Sequence, residues 1–369
     1  MNIAYLISTL ERTGPTNVVF DLVSELDRTR FSPIVFTLSP EPQRSRIEDF
    51  KELDVPVRTL GMGRLAGLLE GTKTVKAALQ SAHVDVCHSH GLRADLIASS
   101  LAGELPTCST VHAVLEDDYR LGYGLYKGAL VNMLHGRALR KIDTPVGCSS
   151  AVFNYLKGSL ALPDAQCVKN GVSVERFRID RCARESIRGG LGIDDDECVW
   201  IATGALIPRK NPEWLIRTWA SKYGNAEKVR LLVLGSGPLM EACAAAAKPF
   251  KNVSMVGSVN NVSDYLSASD IFVSCSEAEG LPLAVLEAVA SGIRCVISGI
   301  EPHLEIADNA PPGIVTFSLG SSPSFNAAAD TVQTPAMSSS AALRNFACTE
   351  FSSTAMVRQY ERIYQRLQK

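Results

Sequence analysis

Short apolar runs of strand length alternate with helix-length segments along this chain, and the alternation occurs in two series. In the first, residues 3–7, 33–38, 57–60, 84–88, 107–111 and 144–148 read as strands. Segments 18–26, 72–82 and 95–101 read as helices between them. The second series has strand-like runs at 198–203, 229–234, 253–256, 271–274 and 294–297. Strands that are apolar at successive positions must be covered on both faces, which is the condition of a parallel sheet wrapped by helices. A length of 369 residues suits two such domains. The expected fold class is therefore α/β, with two Rossmann-like domains whose strand ends face an interdomain cleft. The expected boundaries are 1–178 for the first domain and 179–348 for the second. Residues 349–369 are expected as a C-terminal helix packing back on the first domain, with Met356, Tyr360, Ile363, Tyr364 and Leu367 on one face. The charged stretch 176–197 reads as the connection between domains, and the Ser- and Ala-rich stretch 318–340 as loosely ordered.

Charge narrows the partners. Lys plus Arg number 37 against 39 Asp plus Glu, so no global field favours nucleic acid, and an anionic ligand must be held locally. No run reaches the roughly 18 apolar residues of a spanning helix, and the first residues lack the basic start and cleavage site of a signal peptide. Ten cysteines are scattered without a Cys-x-x-Cys pair, which suits reduced thiols. These features predict a cytoplasmic protein whose membrane contact is at most peripheral.

The segment Ser276-Glu277-Ala278-Glu279-Gly280-Leu281-Pro282-Leu283 leads from a strand through a loop into a helix that carries Glu287. Pro282 fits a first helical turn, and N–H groups at such a start attract phosphate. Glu279 and Glu287 stand roughly 8–12 Å apart by helical rise. As acceptors, one carboxylate suits a sugar and the other ribose hydroxyls. A solvated acidic helix start is the plainer reading of two glutamates alone.

In context, the segment resembles the E-x7-E motif of the retaining GT-B glycosyltransferases, more narrowly glycosyltransferase family 4 (glycosyl transferases group 1). Thr13-Gly14-Pro15-Thr16-Asn17 resembles that family's first glycine loop. Residues 85–91 and Thr110-Val111-His112 resemble two histidine-bearing strand ends of its acceptor domain. Lys169-Asn170-Gly171-Val172 resembles the turn before its linker. Gly204 through Lys210-Asn211, with Leu234-Gly235-Ser236-Gly237-Pro238, resembles the start of its donor domain.

The resemblance implies transfer of a sugar from a nucleoside-diphosphate donor, a UDP- or GDP-sugar, to a glycan or lipid-linked acceptor. It implies no permanent cofactor and no metal. It makes Lys210 one cation of a diphosphate clamp and His112 a contact to the donor sugar. It places Gly14, Gly204, Gly235, Gly237 and the Gly280–Leu283 loop around the donor. The family's second clamp residue, an arginine one position after the glycine, is Ala205 here. Arg209 is the nearest replacement, since a guanidinium grips phosphate through two donors.

Two further patterns are read against a site. His83, His88 and His90 match no zinc spacing, and Gly235-Ser236-Gly237 lacks the third glycine of a dinucleotide fingerprint, with Met240 in its place. Between Tyr119 and Lys141 five basic residues occur among apolar ones with no acid. That segment suits either an anionic membrane surface or the outer face of an ordinary helix. A non-hydrolysing sugar-nucleotide epimerase and a non-catalytic donor-binding scaffold subunit are the rival functions, the latter kept open by Ala205.

Overall fold

The structure is a computed structural model of the 369-residue chain and describes residues 1–63, 68–334 and 340–368. It divides into two compact units, Met1–Gly171 with Ser353–Lys369, and Val172–Ser352. The divisions thus fall after 171 and 352 rather than after 178 and 348.

The first unit holds a seven-stranded parallel sheet of β1 (Asn2–Ile7), β2 (Ser32–Thr37), β3 (Val57–Thr59), β4 (Val86–His90), β5 (Thr107–Val111), β6 (Thr144–Gly147) and β7 (Gln166–Cys167). Their order is β3-β2-β1-β4-β5-β6-β7. Helices α1 (Gly14–Glu25), α2 (Ile47–Glu52), α3 (Leu68–Ser81), α4 (Leu92–Ala98), α5 (Leu115–Tyr123), α6 (Leu125–Leu139) and α7 (Ser150–Gly158) connect them. The second unit begins with α8 (Arg181–Leu191) and builds a six-stranded parallel sheet. Its strands are β8 (Cys198–Thr203), β9 (Val229–Leu234), β10 (Val253–Gly257), β11 (Ile271–Ser274), β12 (Arg294–Ser298) and β13 (Ile314–Phe317), in the order β10-β9-β8-β11-β12-β13. Its further helices are α9 (Pro212–Tyr223), α10 (Met240–Ala247), α11 (Val262–Ser267), α12 (Leu283–Ala290), α13 (Glu301–Ala307), α14 (Ser322–Val332) and α15 (Ser340–Glu350). The chain ends in α16 (Ser353–Leu367), which packs against α1 in the first unit.

Both sheets reverse their winding direction once, between β1 and β4 and between β8 and β11. Ligands of open α/β sheets bind beyond the carboxyl ends of the strands at such a point. Continuous burial explains why the strands form: every residue of β4 and of β5 is buried.

Three expectations need correction. The strand expected at 84–88 runs instead from Val86 to His90, paired with β1 along Ile3–Ile7, while Asp85 precedes it and accepts the Asn2 N–H on its carboxylate at 2.7 Å. The charged stretch 176–197 is no bare connection. Asp180 caps α8 by accepting from Cys182 and Ala183, and Gly192 closes it at φ 62°. Arg188 is 2% exposed and bonds Ala268, Asp194 and Glu197 carbonyls and the Asp270 carboxylate, which also holds Arg184. Nor is 318–340 loose where it is described, since α14 buries Phe325, Ala329 and Val332 in the second core; residues 335–339 lie outside the described residues.

Trp200, Trp214 and Trp219, the chain's three tryptophans, all lie in the second unit, so their fluorescence reports its unfolding. Arg188→Ala leaves Asp270 partly unpaired and several carbonyls unsatisfied, and should cost about 3–5 kcal/mol. Asp180→Ala removes only a cap and should cost about 1 kcal/mol. Urea titration followed by tryptophan emission checks both; equal costs would contradict this ranking.

Candidate functional site

The 3-10 turn Pro208–Lys210 follows β8 and sets two cations side by side. It is bonded to the loop after β11, because Arg209 O accepts the Glu277 N–H at 2.7 Å. The Arg209 guanidinium donates to the Ala278 carbonyl at 2.9 Å and to Glu279 Oε2 at 3.1 Å. Lys210 Nζ pairs with the other oxygen, Glu279 Oε1. One carboxylate, 8% exposed, is therefore shared by both cations.

Burial works against ionising Glu279, but Lys210 and then Arg209 outweigh it, with hydrogen bonds from Lys210 and Ser276 adding to them. The carboxyl group is held at about 2, against an ordinary value of 4.5. Two cations on one carboxylate leave the cluster with a net positive charge, which is the local attraction that a chain of net charge −2 requires for an anion.

The cluster borders a small recess of about 30 Å³ at the carboxyl ends of β8 and β11, lined by Gly204, Ala205, Lys210, Ser274 and Ser276 among others. This is where the second sheet changes winding direction. Gly235, at φ 138°, meets the β8 loop so closely that a Cβ there would lie 1.8 Å from the Gly204 carbonyl oxygen. Gly204 in turn lies beside the Lys210 stem, and Gly237 against the Leu206 carbonyl. Gly280, Leu281 and Pro282 are buried as they lead to Leu283, the first residue of α12, and Glu287 is half-buried along that helix. The structure thus brings Arg209, Lys210 and Glu279 into contact and sets Gly204 and Gly235 around them.

Gly14 and His112 belong to the first unit. Gly14 opens α1 after β1, and His112 follows β5. His112 Nε2 lies 3.0 Å from His90 Nδ1, with the rings stacked. His88 stands two residues before His90 and so on the same face of β4. It spends both nitrogens, on Tyr364 at 2.7 Å and Thr110 at 2.8 Å. Thr110 also meets Tyr360 at 2.7 Å. Burial is the main cause that lowers all three imidazoles, His88 to about 3, His112 to about 4 and His90 well below its ordinary value. All three are neutral near pH 7.

Neutral rings leave each imidazole one donor and one acceptor nitrogen, and the surroundings of His90 assign them. Among the described residues His90 Nε2 is buried with no hydrogen-bond partner. An orphaned acceptor is tolerated better than an orphaned N–H, so His90 carries its proton on Nδ1 and donates to His112 Nε2. His112 then carries its own proton on Nδ1.

Four residues were not read as site contributors from the sequence. Ser276 bonds Glu279. Tyr360 and Tyr364 of α16, spaced i, i+4, complete the histidine row. His303, fully buried after β12, is lowered by burial to about 4, partly offset by the Glu279 charge. His83 is exposed before β4, apart from His88 and His90 in register. No group of three or more metal-ligating side chains is found among the described residues.

Comparison with known proteins agrees with this architecture. "Glycosyl transferase 4-like domain" matches residues 13–171, and "Glycosyl transferases group 1" matches residues 197–332. The chain belongs to the GT-B glycosyltransferases of group 1. The structure of Anabaena HepE in complex with UDP and glucose superposes with a TM-score of 0.82 at 16% identity, covering 99% of both chains. The α-monoglucosyldiacylglycerol synthase of Streptococcus pneumoniae is 25% identical over 232 residues, 60% of this chain and 52% of that protein. The UDP-Gal:α-D-GlcNAc-diphosphoundecaprenol α-1,3-galactosyltransferase of Escherichia coli is 30% identical over 156 residues, 40% of each chain. The chain thus spans about half or less of the length of these two relatives.

Two measurements follow. Between an unfolded value near 4.5 and a folded value of about 2, only the unfolded state binds the Glu279 proton. Its contribution is therefore full above 4.5 and is lost as pH falls toward 2. Glu279→Gln should flatten the acid limb of tryptophan-detected stability in that window, and an unchanged limb would refute the ion cluster. For the histidines, nitrogen-15 NMR at about pH 7 should find His90 as the Nδ1–H tautomer and no imidazolium; a protonated ring would refute the assignment.

Proposed function

We propose that this chain moves a glycosyl group from a nucleoside-diphosphate sugar to an acceptor hydroxyl with retention of anomeric configuration, as a family 4 enzyme. The observation that carries the reading is the Arg209–Lys210–Glu279 cluster at the winding reversal of the second sheet. In this reading Lys210 and Arg209 meet the charge that develops on the leaving diphosphate. Arg209 replaces the arginine that Ala205 lacks, and its guanidinium already reaches the same carboxylate as Lys210. Glu279 accepts from a donor-sugar hydroxyl, Glu287 from the ribose, and the Nδ1–H of His112 donates to the sugar. The leaving diphosphate accepts the proton of the attacking hydroxyl on the face it departs from, which retains the configuration.

Uridine is the favoured nucleoside, because the HepE complex holds UDP and the Escherichia coli relative is named for UDP-Gal. The acceptor class is lipid-linked or lipid-borne, in keeping with the diacylglycerol and diphosphoundecaprenol in those relatives' names. Such an acceptor places the protein at the cytoplasmic face of a membrane as a peripheral protein in surface-glycan synthesis. No described helix is long and apolar enough to cross a membrane.

A thermal-shift screen against UDP, GDP, ADP and CMP tests the donor site, since a ligand of the native state raises apparent stability by mass action. UDP should give the largest shift, and Lys210→Ala or Arg209→Ala should lose most of it. A shift that survives both substitutions refutes the clamp. Binding without transfer, across lipid-linked acceptors, would favour a donor-binding scaffold subunit, the reading that Ala205 supports.

A further inference from the structure

Helices α5 and α6 form an elbow at Gly124, and every residue from Leu121 to Lys127 is exposed. Leu121, Tyr123, Leu125, Tyr126, Leu130, Met133 and Leu134 supply seven of the nine large apolar side chains exposed among the described residues. Leu125 is 66% and Tyr126 88% exposed. Apolar surface gathered in this way marks an interaction site, whereas scattered single residues do not.

The elbow is a built feature, firmly mounted at its base. A Cβ on Gly128 would lie 2.6 Å from the Tyr119 carbonyl oxygen, so the two helices cross in backbone contact. Tyr119 Oη lies 2.6 Å from His135 Nδ1, and His135 Nε2 lies 2.7 Å from Asp95 Oδ2. The other Asp95 oxygen accepts from Ser89 at 2.5 Å and Ser109 at 2.7 Å, which ties the elbow to β4 and β5. Tyr119, His135 and Asp95 are all buried. A hydrophobic tip on a satisfied polar mount is held out to meet something.

Charge selects the occupant. From Tyr119 to Lys141 the chain has Arg120, Lys127, Arg137, Arg140 and Lys141 and no acidic residue. All five cations are exposed. Arg120 pairs with Asp117 at 3.1 Å, which leaves Lys127, Arg137, Arg140 and Lys141 as the main basic rim. The acidic first turn of α5, Glu116–Asp118, lies at the far end of that helix from the Gly124 tip, so a second copy docking tip to tip would set its cations against like charges. An anionic bilayer meets both demands together: its acyl boundary takes the leucines and methionine, its headgroups take the cations, and the tyrosines suit the interface between.

We propose that the α5–α6 elbow is a docking surface for an anionic lipid bilayer, with Leu125 and Tyr126 entering it first. The proposal rests on the reading of a lipid-borne acceptor, and it assigns the surface that brings the protein to that acceptor.

Flotation of the full chain with vesicles tests it. The protein should float with phosphatidylglycerol/phosphatidylethanolamine vesicles, less at high salt, and weakly with phosphatidylcholine alone. The Leu125→Ser/Tyr126→Ser pair and the Lys127→Glu/Arg137→Glu pair should each lower partitioning roughly tenfold. Circular dichroism and melting temperature should match the parent, because all four side chains are exposed. Absence of flotation on anionic vesicles, or variants that float like the parent, would overturn the proposal. So would a dimer on size-exclusion that the apolar variant dissolves while vesicle binding is absent, for the occupant would then be a second copy. The UDP-induced shift, which reads the second unit, separates the two ideas. Vesicle binding without that shift sinks the transferase reading alone, and the shift without vesicle binding sinks the docking surface alone.

Discussion

The chemistry of the second unit hangs on one carboxylate that two cations keep ionised against its own burial. Glu279 sits in a loop that has no regular structure of its own, between β11 and α12. It is fixed because Arg209 and Lys210 arrive from the turn after β8 and grip its two oxygens separately. That turn is itself fixed by the Glu277 N–H on Arg209 O and by the approach of Gly235 to Gly204. Truncating the carboxylate would leave two cations close together with nothing between them. Enlarging Gly235 would push the β8 loop away from β9. The site and the local fold are one set of contacts.

The parallel-sheet architecture was legible because its strands are apolar along their length and are separated by helix-length segments. Two of the mistakes share a cause, which is that polar groups were satisfied by tertiary partners. The end of β4, Cys87-His88-Ser89-His90, looks too polar for a buried strand, yet each polar side chain is buried within a tertiary contact. Arg188 and Arg184 read as solvated linker charge because Asp270 lies about eighty residues on. The capping pair Asp180 and Gly192 was readable, being a local start and stop signal for a helix. In α14 the Ser- and Ala-rich composition hid Phe325 and Val332, which are enough to seat a short helix on a sheet.

Of the site, Glu279, Lys210 and the glycines could be named from motif and resemblance. What could not be read was how they bond. Arg209 stands seventy residues before Glu279, and nothing local distinguishes an arginine that grips a carboxylate from one in a solvated turn. The same holds for α16, whose amphipathic spacing announced a buried face without saying that Tyr360 and Tyr364 would complete hydrogen bonds to Thr110 and His88. Periodicity predicts burial, and only topology supplies the partner.

Burial is used in opposite ways in the two units. In the first, it strips charge from a row of imidazoles, so that His88, His90 and His112 act as directional donors and acceptors instead of cations. In the second, burial is overruled, and Glu279 keeps its charge because two cations favour the ionised form more than desolvation disfavours it. A neutral sugar is oriented best by neutral groups with fixed hydrogen-bond direction, since a charge there would also attract water and stray ions. A diphosphate needs the reverse, a fixed positive field that is already in place when charge develops. Under the proposed function, the sharing of Glu279 by Lys210 and Arg209 serves that end, because it holds both cations in place without cancelling them. The two units thus carry opposite kinds of group, neutral hydrogen-bonding imidazoles in the first and an ionised carboxylate held between cations in the second.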